Sequence, residues 1–264
     1  MVGAIEPSLR QAEMERVKRK RPEDLDAYDL VLRARPYVDT AMPEGALKAL
    51  PLLKRALALE PDYALAHGHA ARCYHQLYVR AGKHEEDRQE AIRHARAALA
   101  HGGDDAAALA EGAFVIAHHE QDQAAAREAL ETAVSLSPSL AFAYTMGAIV
   151  FGWGGEAESA IEWGQRALRL SPLDPHAFGA WHGLGIGFFI KGHYEDAASA
   201  ERRAIQRNPG FSVLHLMLAA ALVKLGRIDE AKAAAARLLA RSSTASEPPS
   251  GSQQPNPHPR SPFR

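Results

Sequence analysis

The 264-residue chain carries 31 Lys and Arg against 32 Asp and Glu, a near-balance that gives no global pull towards nucleic acid or an anionic membrane. Its one cysteine, Cys73, excludes an intramolecular disulfide and a cysteine-based metal cluster. No apolar run approaches the ~18 residues of a membrane span, and Met1 to Pro7 lacks a cationic segment leading into an apolar one, so neither membrane insertion nor secretion is expected and the chain reads as cytoplasmic.

Taken in chain order, residues 1–22 read as a helical lead-in. It ends in the basic run Arg16-Val17-Lys18-Arg19-Lys20-Arg21 before Pro22. The run has no interleaved aromatics, so it reads as a solvated helix end rather than a phosphate-binding arm. From residue 23 to 241 the chain is Ala- and Leu-rich with few β-branched runs, which favours helix. A first helix carries Tyr28, Leu30 and Leu32, and a second Ala49, Leu53 and Ala56 before Pro61. The next stretch carries Ala70, Ala71 and Tyr74, then Ala91 and Ala98, with Gly103 where a proline would stand. Ala113, Ile116, Ala126, Ala133 and Pro138 follow, then Gly147, Ala148, Phe151, Ala160, Ala167 and Pro172. Trp181, Leu184, Gly185, Phe188, Ala197, Ala204 and Pro209 make the clearest unit, and Leu218, Ala219, Leu222, Ala231 and Leu238 the last.

One ruler runs through these stretches. Gly192-His193-Tyr194-Glu195-Asp196-Ala197 returns 34 residues later as Gly226-Arg227-Ile228-Asp229-Glu230-Ala231, and stands 37 residues after Gly155-Glu156-Ala157-Glu158-Ser159-Ala160. The alanine and proline series step by the same 34 and 37. A period in this range marks a stacked array of supersecondary units. Within the Pro209 unit, Trp181, Leu184, Gly185 and Phe188 share one face of a helix expected from Phe178 to Lys191. Gly192 should end it in the left-handed conformation. Glu195 and Asp196 then open a second helix at its positive end, and Asn208-Pro209 closes it. The two early units exceed the period, and the extra residues, Thr40 to Gly45 and Gly82 to Arg88, are expected to form loops between paired helices.

Small residues at the eighth, twentieth and twenty-seventh positions with proline at the thirty-second resemble the tetratricopeptide (TPR) motif. The resemblance covers about Asp24 to Arg241. It implies an all-α, right-handed superhelix of about six helix pairs that binds protein partners and performs no catalysis of its own. A second resemblance rests on Val2 to Leu9, Arg19 to Leu30 and Glu162 to Pro172. These segments are similar to the TolB-like and TPR region that follows the nucleotide-cyclising domain of bacterial class III adenylate cyclases. That resemblance implies the TPR half alone, as a stand-alone product or a truncated frame, with the cyclase domain missing. From Ser242 the composition turns to Ser and Pro, and residues 242–264 are expected to be disordered.

The TPR register assigns a concave groove. Arg72 and His75 lie at its N-terminal end, followed by Phe114 and His118, then Phe142, Thr145, Ile149 and Trp153. Gly179, His182, Ile186, Phe189 and Ile190 continue it, and Val213, Leu216, Ala220, Val223 and Lys224 complete it. Only Arg72 and Lys224 among these carry a fixed charge, so the expected guest is an apolar or amphipathic segment rather than an acidic tail. Self-association into a homodimer is the competing use of such a stripe. The histidines, His118-His119 and His67-Gly68-His69 included, offer no His-x3-His pair with a supporting carboxylate, so no metal or cofactor is expected. Gly183-Leu184-Gly185-Ile186-Gly187 falls inside a helix rather than after a strand, and reads as packing glycine rather than a phosphate cradle. Cys73 reads as a small buried apolar residue rather than a nucleophile.

Overall fold

The structure, a computed structural model, describes residues 25–174 and 176–244. Twelve helices fill the described residues, and no strand occurs among them. They form six antiparallel pairs: α1 (Ala27–Val38) with α2 (Pro43–Leu59), α3 (Ala64–Arg80) with α4 (Glu85–His101), and α5 (Ala106–His119) with α6 (Gln123–Leu136). Next come α7 (Ala141–Trp153) with α8 (Ala157–Leu170), α9 (Ala177–Ile190) with α10 (Tyr194–Arg207), and α11 (Ser212–Lys224) with α12 (Ile228–Thr244). Each first helix packs on its own partner and on the first helix of the next pair, so the pairs stack into a right-handed superhelix with the odd-numbered helices inside. The lead-in at 1–22 and most of the expected tail, 245–264, lie outside the described residues, as does the side chain of Leu238. The last helix runs on through Thr244, past Ser242.

The small residues of the repeat make this stacking close. Ala49, Ala56, Ala91, Ala98, Ala126, Ala133, Ala160 and Ala204 are wholly inaccessible to solvent. A larger side chain at any of them would meet the facing helix. Between these contacts sit Leu30, Leu53, Leu130, Leu214 and Leu222, also fully buried, each stabilising the array by about 1.5–3 kcal/mol. The glycines of the α9 run face three different neighbours. A Cβ on Gly183 would stand 2.5 Å from Ala148 Cβ on α7, one on Gly187 2.7 Å from Ile161 on α8, and one on Gly185 against the Glu201 carboxylate of α10. Helix α9 is therefore apolar or small on every side because it is buried on nearly every side.

The turns follow from glycine at three equivalent places. Gly155, Gly192 and Gly226 have φ of +79°, +78° and +73°. After each, the next N–H reaches back five residues: Glu156 to Phe151 at 2.8 Å, His193 to Phe188 at 2.9 Å and Arg227 to Leu222 at 2.9 Å. The glycine N–H bonds the carbonyl three residues back, completing a Schellman motif that satisfies the helix end.

The two early insertions lie only partly in the turns expected to hold them: residues 40–42 and 82–84 do, whereas 43–45 and 85–88 are helical. Residues 39–42 make an ordinary short turn, and Pro43 starts α2 at a position where its missing N–H is not needed. The extra residues of the second unit lengthen its helices instead. Both α3 and α4 have 17 residues, against 13 or 14 in the pairs from α5 to α10. An additional helical turn satisfies its own backbone N–H and C=O groups, whereas an inserted loop must find other partners for them.

Candidate functional site

The lengthened α3 changes the shape of the concave side. Its last turn carries Tyr78, Val79 and Arg80 across the groove to the start of α11. The Arg80 guanidinium lies 3.9 Å from the centre of the Phe211 ring, and its Nη1 donates to Ser212 Oγ at 3.3 Å. Its Nε donates to Gln76 Oε1 at 2.8 Å, which holds the side chain straight. Burial draws the Arg80 pKa down to about 10. A second bridge joins the first pair to the fifth: His176 Nε2 and Asp39 Oδ1 are 3.0 Å apart. Burial opposes ionisation of Asp39, but bonding to His176, with Arg72 and Arg35 nearby, outweighs it and holds the carboxyl well below the usual range. Ala41 beside this turn packs with Phe178, Ala204 and Leu214. The first two units thus touch the last two, and the open groove becomes a cavity of about 800 Å³.

Of the groove residues expected from the register, Arg72, His75, Phe114, His118, Ile149, Trp153, Gly179, His182, Val213 and Leu216 line this cavity. Phe142, Thr145 and Ile186 are buried between helices. Phe142 lies under the Arg72 guanidinium, 5.1 Å away, and Thr145 Oγ1 donates to Ala141 O at 3.1 Å. Phe189 packs edge-on to Tyr194. Ile190 and Val223 are exposed, and with Ala220 and Lys224 they lie away from the cavity wall. Sequence reasoning missed Arg80 and Lys83, which bring cationic groups to the wall, because both lie beyond the last groove position that a 34-residue register assigns to that helix. Among the described residues the wall carries no carboxylate.

The charges behind the wall are arranged in buried sets. Glu111 accepts from Arg72 Nη1 at 3.1 Å and pairs with His69 Nδ1 at 2.7 Å. Burial alone would raise its pKa, but His69 and Arg72 outweigh that and keep the carboxyl below its ordinary value. Gly68 makes the space: a Cβ there would lie 2.9 Å from the carboxylate. Glu201 has only His182 Nδ1, at 2.8 Å, and its Oε2 has no partner. Burial prevails there and raises its pKa. Cys73 is buried in the core, and burial pushes its thiol up to about 12, which leaves it inert as a nucleophile at neutral pH. The geometry therefore presents a partly apolar chamber with cationic groups at one side, suited to holding a ligand. No helix of the described residues is long and apolar enough to cross a membrane.

Comparison with known proteins agrees with the repeat register. Residues 188–246 match the family model described as tetratricopeptide repeat. A curated relative, the small glutamine-rich tetratricopeptide repeat-containing protein 2 of Mycosarcoma maydis, is 30% identical over 113 residues, covering 43% of this chain and 31% of that protein. Among solved structures, a monomeric IFIT1 mutant with m7Gppp-AAAA superposes with a TM-score of 0.68 at 15% identity, covering 84% of this chain and 52% of the other. The APC/C hetero-tetramer Cut9–Hcn1 superposes at 0.64 and 15% identity, covering 90% of this chain and 45% of that one. The chain thus spans about a third of the curated relative and about half of these solved chains.

Proposed function

We infer that this tetratricopeptide-repeat solenoid is a protein-binding module that takes one amphipathic segment of a partner into the chamber closed by its own first and last units. The chamber carries the reading: Phe114, Trp153, Phe178 and Leu216 offer apolar surface, while Arg80 and Lys83 stand on the same wall with no carboxylate beside them there among the described residues. An apolar segment bearing an acidic group fits both halves. Fully apolar peptide would leave the Arg80 guanidinium, already drawn down by burial, further desolvated and without a counter-charge. Binding rather than catalysis is favoured because the groups that line the wall supply recognition surface, and the buried carboxylates Glu111 and Glu201 are committed to structural partners. A link to adenylate cyclases rests on the sequence resemblance alone.

Selection of a displayed random peptide library on the chain tests this. Enriched peptides should combine apolar residues with Asp or Glu, and should lose most affinity for the Trp153→Ala and Arg80→Ala variants. Peptides that bind both variants at wild-type strength would place the site elsewhere on the solenoid.

A further inference from the structure

The buried histidines among the described residues divide into two groups. The buried His69, His176 and His182 each meet a carboxylate, of Glu111, Asp39 and Glu201 respectively. His67 and His215 bond the carbonyls of Pro61 and Pro209, and His94 pairs with His67, Nδ1 to Nδ1, at 2.8 Å while its Nε2 lies 2.8 Å from Arg93 Nη2 and 3.7 Å from the Glu90 carboxylate. These have the partners a buried imidazole ordinarily finds. His75 and His119 differ in having neither a carbonyl nor a carboxylate on their rings among the described residues: both are buried, and their rings hydrogen-bond each other, between His75 Nδ1 and His119 Nε2 at 3.0 Å.

His118 completes the cluster. Adjacent residues on a helix point about 100° apart, so His118 and His119 alone cannot share a ligand closely. His75 on the neighbouring α3 enters the gap between them. Ring centres are 4.6 Å apart for His75 and His118, 4.8 Å for His118 and His119, and 5.1 Å for His75 and His119. One nitrogen from each ring lies within 4.8 Å of the other two. For a tetrahedral zinc ion with Zn–N of about 2.0–2.1 Å, ligand nitrogens stand roughly 3.4 Å apart and ring centres about 5 Å. The rings are already at that spacing, and a small rotation of His118, which faces the cavity, brings its nitrogen in.

From this geometry we propose that His75, His118 and His119 form a three-histidine site for a divalent transition metal, zinc by preference, with its fourth position open to the cavity. Three protein ligands with one open position is an arrangement zinc adopts where it must also hold an exogenous ligand. Burial lowers the pKa of each of the three imidazoles, which favours the neutral form that binds a metal. The proton shared between His75 Nδ1 and His119 Nε2 moves to the far nitrogen of whichever ring carries it, a tautomer change with no net release. The nearby Arg72 and Arg80 oppose a second cation; Arg72 is offset by Glu111, and Arg80 favours an anionic fourth ligand. The metal would also clamp α3 to α5. None of this depends on the peptide-binding reading.

The test uses the full chain without a purification tag. Zinc titration by calorimetry should show one equivalent binding at micromolar or lower free metal, and Co(II) should give the intense visible bands of four-coordinate geometry. His118→Ala and His75→Gln should each weaken zinc binding by about 100-fold or more, beyond the 10–100-fold typical of an outer-shell partner. Zinc should raise the unfolding temperature of the wild type and not of the variants. Because His75 is buried, circular dichroism checks that variant; if it misfolds, His118→Ala, whose side chain is at the cavity face, decides alone. Absence of stoichiometric uptake in the wild type, or undiminished affinity in His118→Ala, overturns the proposal.

Discussion

Replacing Gly183 with alanine sets two opposed effects of known size against each other. Alanine is the better helix former by about 0.8–1 kcal/mol in a helix interior, so on propensity alone Gly183→Ala should stabilise α9. The new Cβ, however, would stand 2.5 Å from Ala148 Cβ, 2.9 Å from its carbonyl carbon and 3.2 Å from its Cα. Two of those three atoms are backbone, so no rotamer change relieves the contact. Helices α7 and α9 must move apart by roughly 1 Å to reach ordinary carbon–carbon separation of about 3.5–4.0 Å. Overpacking of this kind costs about 1–3 kcal/mol and more where backbone must shift. Because backbone atoms must shift, the upper part of that range applies, about 2–3 kcal/mol, and after the helix gain of about 1 kcal/mol the expected net is a loss of about 1–2 kcal/mol, or ~2–8 °C in Tm for a domain of this size. Urea and thermal unfolding of Gly183→Ala beside Gly103→Ala provide the assay, since a Cβ at Gly103 meets nothing within 4 Å. A Gly183→Ala chain as stable as wild type would mean that the inner helices are not held at the spacing described, and that cavity width is set by something else.

Removing the bridge across the cavity should separate closure from stability. Arg80→Ala gives up a cation–π contact with Phe211 and hydrogen bonds to Ser212 and Gln76, together about 1–2 kcal/mol after the burial cost is recovered, yet small-angle scattering should show a wider particle; an unchanged profile would put closure on the Asp39–His176 contact instead. Glu111→Gln should cost about 3–5 kcal/mol, because the Arg72 charge stays buried without its counter-ion, while Glu201→Gln should cost far less, its carboxyl being already raised by burial; equal losses would contradict the contrast drawn between the two. Acid should weaken the N-terminal half. His94, drawn down to about 3 chiefly by burial, and His67, lowered for the same reason, have folded pKa values below the unfolded ~6.5, so the unfolded chain binds the extra protons and stability falls as pH drops from about 6.5 towards 3. His94→Gln should flatten that part of the Tm–pH profile, and an unaltered slope would show that other groups govern it.

The repeat period was legible in the chain because each unit meets the same neighbours, so the same small residues recur wherever two helices must touch. Ala160, Ala167, Ala197 and Ala204 are spaced for that contact and are all buried, and Gly155, Gly192 and Gly226 mark turns that only a residue tolerant of positive φ takes easily. These are local requirements, and sequence records them locally. The insertion in the second unit was visible as extra length, but whether extra residues lengthen helices or bulge as a loop depends on what packs against them. That outcome carries Arg80 across to Phe211 and turns a groove into a chamber. The histidine cluster was hidden for the same reason: His75 and His119 are 44 residues apart, and neither shows in the sequence a spacing that metal ligands on one helix would need. Their meeting, like the pairing of Asp39 with His176 across 137 residues, follows from the rise and curvature of the whole superhelix, which sums many small interhelical angles and is written in no single repeat.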